Sequence, residues 1–359
     1  MSEPASPVEP DDGLAALLRA TGATRDIDQL TAILSSALGL ARDGADRLDL
    51  KITNAALAEM REAFRVFAPF RSVPKVTIFG SARTLPEDPL YIQARDLAAA
   101  VAGAGWMVVT GAGPGIMAAG TEGAGRARSI GVNIRLPFEQ GANAFIAADP
   151  KLVSMKYFFT RKLMLMKESA GFVVLPGGFG TLDEGFELLT LLQTGKAAPA
   201  PIVLLDVPGG GYWKGWERFV TDEVVARGLV SPADRVLYRI TDSVADTTAE
   251  LLGFFTNYHS IRYVGRRLVV RIRSVPTAEE LADLDAEFAD IRTRGTIEVV
   301  DPLPAEVTSK DHLELPRIAF YFDRLSHGRL RSLIDALNRL PSAPGGPPPA
   351  TEVPTSDDA

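Results

Sequence analysis

Three short apolar runs in the middle of this chain each end in glycine, and each is followed by a helical pattern. The run at 76–79 ends in Gly80-Ser81, the run at 106–110 in Gly111-Ala112-Gly113-Pro114-Gly115, and the run at 172–175 in Pro176-Gly177-Gly178-Phe179-Gly180. Helical patterns cover 91–104, 116–126 and 182–193, and further strands are expected at 130–136 and 201–205. A helix is also expected over 151–169 and another over 213–227. Strands alternating with helices predict an α/β, Rossmann-like, doubly wound parallel sheet covered on both faces. In such sheets ligands bind beyond the C-terminal ends of the strands, where all three glycine-rich turns fall.

With 359 residues the chain can bury a large core and hold one main domain with additions. A net charge of -7 argues against a nucleic-acid scaffold. The absence of cysteine excludes disulfides, iron–sulfur clusters and thiolate zinc sites. His259, His312 and His327 are the only histidines, so no metal site is expected. Residues 1–12 lack the basic and apolar regions of a signal peptide, and no apolar run reaches the roughly 20 residues of a bilayer span. The expectation is a cytoplasmic protein that engages neither membrane nor nucleic acid.

Composition and periodicity divide the chain further. Residues 1–12 and 341–359 are expected to be disordered tails, the latter because Pro, Gly and Ser accumulate there. A helical segment is expected over 13–70, with Leu57, Met60, Phe64 and Phe67 at helical spacing. The Rossmann-like domain covers 71–255. Strands at 267–273, 296–300 and 317–322, with helices at 278–291 and 329–340, predict a small ferredoxin-like α+β domain over 256–340. Regulation or dimerisation is the expected role of such an addition, although fold alone assigns no function.

The glycine turns differ in what they imply. Gly111-x-Gly113-x-Gly115 is an incomplete dinucleotide fingerprint, and Pro114 removes a backbone donor. The acidic ribose-binding residue expected about 20 positions on is replaced by Ile134-Arg135-Leu136, which disfavours hydride transfer. The segment 176–184 is more specific. Its glycines let a ligand approach the backbone, and the helix that follows presents free N–H groups and a positive dipole end to a phosphate. It lacks the lysine of a P-loop, so nucleoside triphosphate hydrolysis is not expected. Glu184, one turn into the helix, is an odd companion for pure anion binding and suggests chemistry on the ligand. Arg161-Lys162 lie on the preceding helix; Arg161 can pair with Glu184 and keep it ionised. A plain structural turn and a solvated basic pair are the bland alternatives.

Arg161-Lys162, the nonapeptide Pro-Gly-Gly-Phe-Gly-Thr-Leu-Asp-Glu at 176–184 and the earlier Gly111-Ala-Gly-Pro-Gly-Ile-Met117, taken together, resemble the LOG family. These are cytokinin riboside 5'-monophosphate phosphoribohydrolases and bacterial nucleotide 5'-monophosphate nucleosidases, long mislabelled lysine decarboxylases. The resemblance covers 76–206, and the flanking segments look like those of a longer bacterial branch. It implies a Rossmann-like homodimer, or higher homo-oligomer, that cleaves the N-glycosidic bond of a nucleoside monophosphate without metal or redox cofactor. By position, Glu184 and Arg161 match the family's catalytic residues. Lys162, Gly177, Gly178, Gly180, Thr181, Asp183 and Thr190 match substrate-binding positions, as do Gly80-Ser81 near the sugar phosphate, with Gly113 and Gly115 in the second turn. Where plant members carry a substrate-contacting glutamate, straight counting places Asn143, with Glu139 nearby. The preferred base, and cytokinin specificity with it, therefore stay open. A non-catalytic carrier of a nucleotide or pterin-type cofactor is the rival reading, and it needs no Arg–Glu pair.

Overall fold

The computed structural model describes residues 10–135 and 141–355, so Glu139 lies outside the described residues. The N-terminal helices are α1 (Pro10–Ala20), α2 (Ile27–Arg42) and α3 (Arg47–Phe67). Contacts divide the chain into two compact units, one ending at Glu59 and one beginning at Met60. In the first, α1 and α2 pack on each other. The last turns of α3, with Ala63, Val66 and Phe67, belong to the second unit and are buried on its sheet.

That sheet is built from β1 (Lys75–Phe79), β2 (Met107–Thr110), β3 (Ser129–Ile134), β4 (Leu152–Met155), β5 (Gly171–Val174), β6 (Ile202–Leu205) and β7 (Arg239–Thr241). Between them run α4 (Pro89–Gly103), α5 (Ile116–Ala124), α6 (Phe158–Lys167), α7 (Phe179–Gln193) and α8 (Tyr212–Phe219), with α9 (Val244–Gly253) after β7. The order is β4-β3-β2-β1-β5-β6-β7, and every pairing is parallel. This is the α/β Rossmann-like fold expected from the sequence.

Alternate residues of each strand go to opposite faces. Val76, Ile78, Val108, Val173 and Val203 pack with α4, α5 and α9. Phe79, Val109, Phe172, Val174 and Leu204 pack with α6, α7 and the end of α3. The near-continuous apolar strands follow from burial on both sides. The chain winds outward from β1 to β4, then returns to the other side of β1 as β5. The order therefore reverses between β1 and β5, and a crevice forms beyond their C-terminal ends.

One element departs from expectation. Residues 151–169, read as a single helix, divide into strand β4 and helix α6. Leu152–Met155 pairs residue by residue with Gly131–Ile134, with alternating burial. Apolar residues so closely spaced suit either element. The open edge of β3 decides it, because a strand there satisfies its backbone groups on that ladder. Asp149 starts the strand by accepting from the Lys151 backbone N–H and pairing with Arg126 and Lys151.

The second sheet holds β8 (Tyr258–Val264), β9 (Arg267–Ile272), β10 (Glu298–Val299) and β11 (Arg317–Phe320), in the antiparallel order β10-β11-β9-β8. With α10 (Ala278–Glu287), α11 (Pro304–Ser309) and α12 (His327–Arg339), the run β9-α10-β10-α11-β11-α12 follows the expected β-α-β-β-α order, with α11 inserted between its second and third strands. Its outer strand comes from β8 in a hairpin with β9, a strand that the sequence reading missed. Nor does this sheet stand apart. One apolar cluster runs from Val173 and Val203 through Leu251, Phe254, Phe255 and Tyr258 to Leu268, Ile318 and Leu333. The expected tail from 341 is also held where it is described. Ser342 donates its backbone N–H to Glu280, Glu352 pairs with Arg273 at 3.0 Å, and Val353 is buried in the same cluster. No helix among the described residues is long and apolar enough to cross a membrane.

Candidate active site

A cavity of about 740 Å³ occupies the crevice, walled by the three glycine turns, α6 and the start of α7. Helix α7 begins at Phe179 with no side chain capping it, so its first N–H groups are available to a ligand at the positive end of the helix dipole. Gly177 and Ser81 bring two turns together: the Ser81 N–H donates to the Pro176 carbonyl at 3.2 Å. A Cβ on Gly177 would lie 2.3 Å from Thr181 Oγ1 and 3.0 Å from Ser81 N. Only glycine permits that approach.

The charged pair joins α6, which carries Arg161, to α7, which carries Glu184. Arg161 and Glu184 are both buried, and their closest approach is 3.7 Å, an ion pair beyond hydrogen-bonding reach. The guanidinium is packed under the second turn, where a Cβ on Gly111 would fall 2.2 Å from its Nη2. Burial is the largest influence on Glu184 and raises its pKa to about 7; Arg161 and Lys162 pull it back, while Asp183 and Glu187 add to the rise. The sequence reading had Arg161 keep this carboxylate ionised. In the folded protein desolvation outweighs the arginine, and Glu184 is poised to exchange a proton near neutrality.

Most of the predicted residues come together here. Gly80, Ser81, Gly113, Arg161, Gly177, Gly178, Gly180, Thr181, Asp183 and Glu184 all line the cavity. Gly115 does not; it adopts φ +66° and is packed against the first turn, a Cβ there falling 2.3 Å from the Ser81 carbonyl oxygen. Lys162 is also off the wall, its ammonium held by Asp183 at 2.6 Å and Glu187 at 2.7 Å. Thr190 lies on the exposed side of α7, where its hydroxyl donates to the Phe186 carbonyl.

Asn143 is committed elsewhere. Its amide donates to the carbonyls of Ala112 and Gly113, bracing the second turn. Among the wall residues that the sequence reading missed are Arg83, Asn133 and Phe158. Arg83 alone carried a signal, as a cation two residues beyond the first glycine turn; the others resemble ordinary strand or helix positions.

The family described as "Possible lysine decarboxylase" matches residues 114–251. A probable cytokinin riboside 5'-monophosphate phosphoribohydrolase of Oryza sativa subsp. japonica is 38% identical over 98 residues, 27% of this chain and 43% of that protein. A cytokinin riboside 5'-monophosphate phosphoribohydrolase of Arabidopsis thaliana is 30% identical over 119 residues, 33% of this chain and 54% of that protein. The chain thus spans about half the length of these curated relatives. Among solved structures, the molybdenum cofactor binding protein of Rippkaea orientalis aligns with 49% of this chain and 93% of its own, at 21% identity and a TM-score of 0.35.

Proposed function

This chain belongs to the LOG family by its match over residues 114–251 and its plant phosphoribohydrolase relatives, and from that premise we propose that it hydrolyses the N-glycosidic bond of nucleoside 5'-monophosphates. The products are the free base and ribose 5-phosphate. The observation that carries this reading is the buried Glu184 beside Arg161, in the same cavity as the uncapped start of α7. A phosphate group at that helix end is held by backbone N–H groups, so binding remote from the reacting bond fixes the sugar.

Cleavage at C1' passes through an oxocarbenium-like state. Ionised Glu184 faces that positive charge and takes a proton from the attacking water as the new C1'–O bond forms. The C1'–N bond breaks, the base nitrogen takes a proton from solvent, and protonated Glu184 returns its proton to solvent. Arg161 orients the carboxylate and moderates the rise in its pKa. Written this way, the reaction needs no cofactor. An imine-forming decarboxylase would need a lysine at the reacting centre, yet no lysine among the described residues lines this cavity.

The face beside the site supports self-association. Phe158, Phe159 and Leu163 on α6 and Phe179 and Phe186 on α7 are large apolar residues left about half exposed or more. Such a grouping marks an interaction surface. A homodimer through this face, in the cytoplasm where nucleoside monophosphates are found, belongs to the same proposal.

Incubating the purified chain with AMP, GMP, CMP and UMP and assaying ribose 5-phosphate tests the reading. Turnover of at least one is expected, and Glu184→Gln should lower kcat about 100-fold or more while AMP still binds. A non-catalytic carrier would bind a nucleotide and release no ribose 5-phosphate. Undiminished activity in the Gln variant would remove Glu184 from the chemistry.

A further inference from the structure

A tyrosine outside the cavity holds one peptide of the phosphate turn. The Tyr212 hydroxyl donates to the Gly177 carbonyl at 2.7 Å. Tyr212 opens α8, after β6, the strand next to β5 in the sheet. Its own position is closely specified. The buried carboxylate of Asp206, at the end of β6, accepts from the backbone N–H of Tyr212 at 3.1 Å and of Val207 at 2.9 Å. A Cβ on Gly210 would strike that carboxylate at 2.3 Å, so the connecting loop closes tightly over it. The Tyr212 ring meets the edge of buried Trp213 at 4.8 Å, and Trp213 Nε1 donates to the Leu205 carbonyl.

The bonded carbonyl belongs to the peptide that carries the Gly178 N–H. In a planar trans peptide C=O and N–H point in opposite directions. Gly177 and Gly178 line the cavity and Tyr212 does not. Holding the carbonyl outward therefore turns the Gly178 N–H inward. Without a lock this peptide would have two orientations, because glycines on either side tolerate the dihedral changes of a flip. In one orientation the turn offers a donor to an anion, and in the other it offers a carbonyl oxygen that repels it.

We propose that Tyr212 is a positioning residue, which sets the Gly177–Gly178 peptide with its N–H toward the substrate phosphate and so preforms the anion site. The inference rests on the phosphate-binding reading of this turn. It places part of substrate affinity on a neighbouring strand, through a residue that touches no substrate atom.

Tyr212→Phe keeps the ring on Trp213 and removes only the hydroxyl. The expected result is a KM for the nucleoside monophosphate raised about three- to tenfold, the loss of one hydrogen bond's contribution, with kcat within about twofold. Inorganic phosphate, tested as a competitive inhibitor and by calorimetry without turnover, should weaken by the same factor, with an unchanged melting temperature. A KM and a phosphate affinity equal to the parent would overturn the proposal, as would a fall in kcat alone. Phosphate binding weakened by the substitution in a chain that cleaves no nucleotide would sustain the positioning role and reject the hydrolase reading. A parent protein that binds neither phosphate nor AMP would reject both.

Discussion

Glu184 combines two demands that pull against each other. A base must be ionised to take a proton from water, yet burial beside other carboxylates lifts its pKa to about 7. In the free enzyme kcat/KM should therefore rise with pH along an acidic limb centred near 7, measurable from pH 5 to 9. Lys162 gains a definite role in this picture. Its ammonium neutralises Asp183 and Glu187, both of which raise the Glu184 pKa. Lys162→Ala should move the limb to higher pH, and an unmoved limb would remove Lys162 from the tuning of Glu184. The same carboxylate also affects stability. A folded-state pKa above the unfolded value means that the native protein keeps a proton which the unfolded chain releases. The cost is absent below about pH 4.5, grows toward pH 7 and persists above it. Glu184→Gln should then stabilise the protein by up to about 3 kcal/mol at pH 8, and by little at pH 4, in urea titrations.

At the scale of elements, the three glycine turns share a composition and differ in function. Gly115 serves as a joint: its φ of +66° and the Ser81 carbonyl 2.3 Å from a would-be Cβ leave no room for a side chain. Gly115→Ala should cost at least about 2 kcal/mol of stability by urea unfolding, from backbone strain and overpacking together. Gly180 is the contrast. Nothing lies within 4 Å of a Cβ placed there, and the residue is already helical. Gly180→Ala should hold or slightly raise stability, by up to about 1 kcal/mol, while weakening phosphate binding by crowding the first turn of α7. Equal losses of stability in both variants would contradict this division. Reading 151–169 as one helix failed for a related reason: nothing in Leu-Val-Ser-Met signals that the edge of β3 is open beside it.

For the whole molecule, large apolar residues of α6 and α7 are left about half exposed or more, and Phe158 and Phe179 among them also line the cavity. Thr190, which the family resemblance assigned to substrate binding, lies on the exposed side of α7 and off the cavity of its own chain. A second copy docked on this face is the arrangement that could give Thr190 a ligand to meet. Light scattering should find a dimer, and Phe159→Asp should convert it to monomer with reduced activity. A monomeric parent, or a variant that stays dimeric, would refute the use of this face.

The sequence alone determined the alternation of strands and helices and the three glycine turns at the C-terminal ends of the strands. Those follow from local periodicity and from glycine's dihedral freedom, both written in consecutive residues. Tertiary structure decided what depends on distance and exclusion of water. It took Lys162 and Thr190 off the cavity wall, gave Asn143 to the bracing of a turn, and joined the small sheet to the main core. It also turned Glu184 from a carboxylate held ionised by Arg161 into one poised near neutrality, because burial is a property of the whole fold and no motif records it.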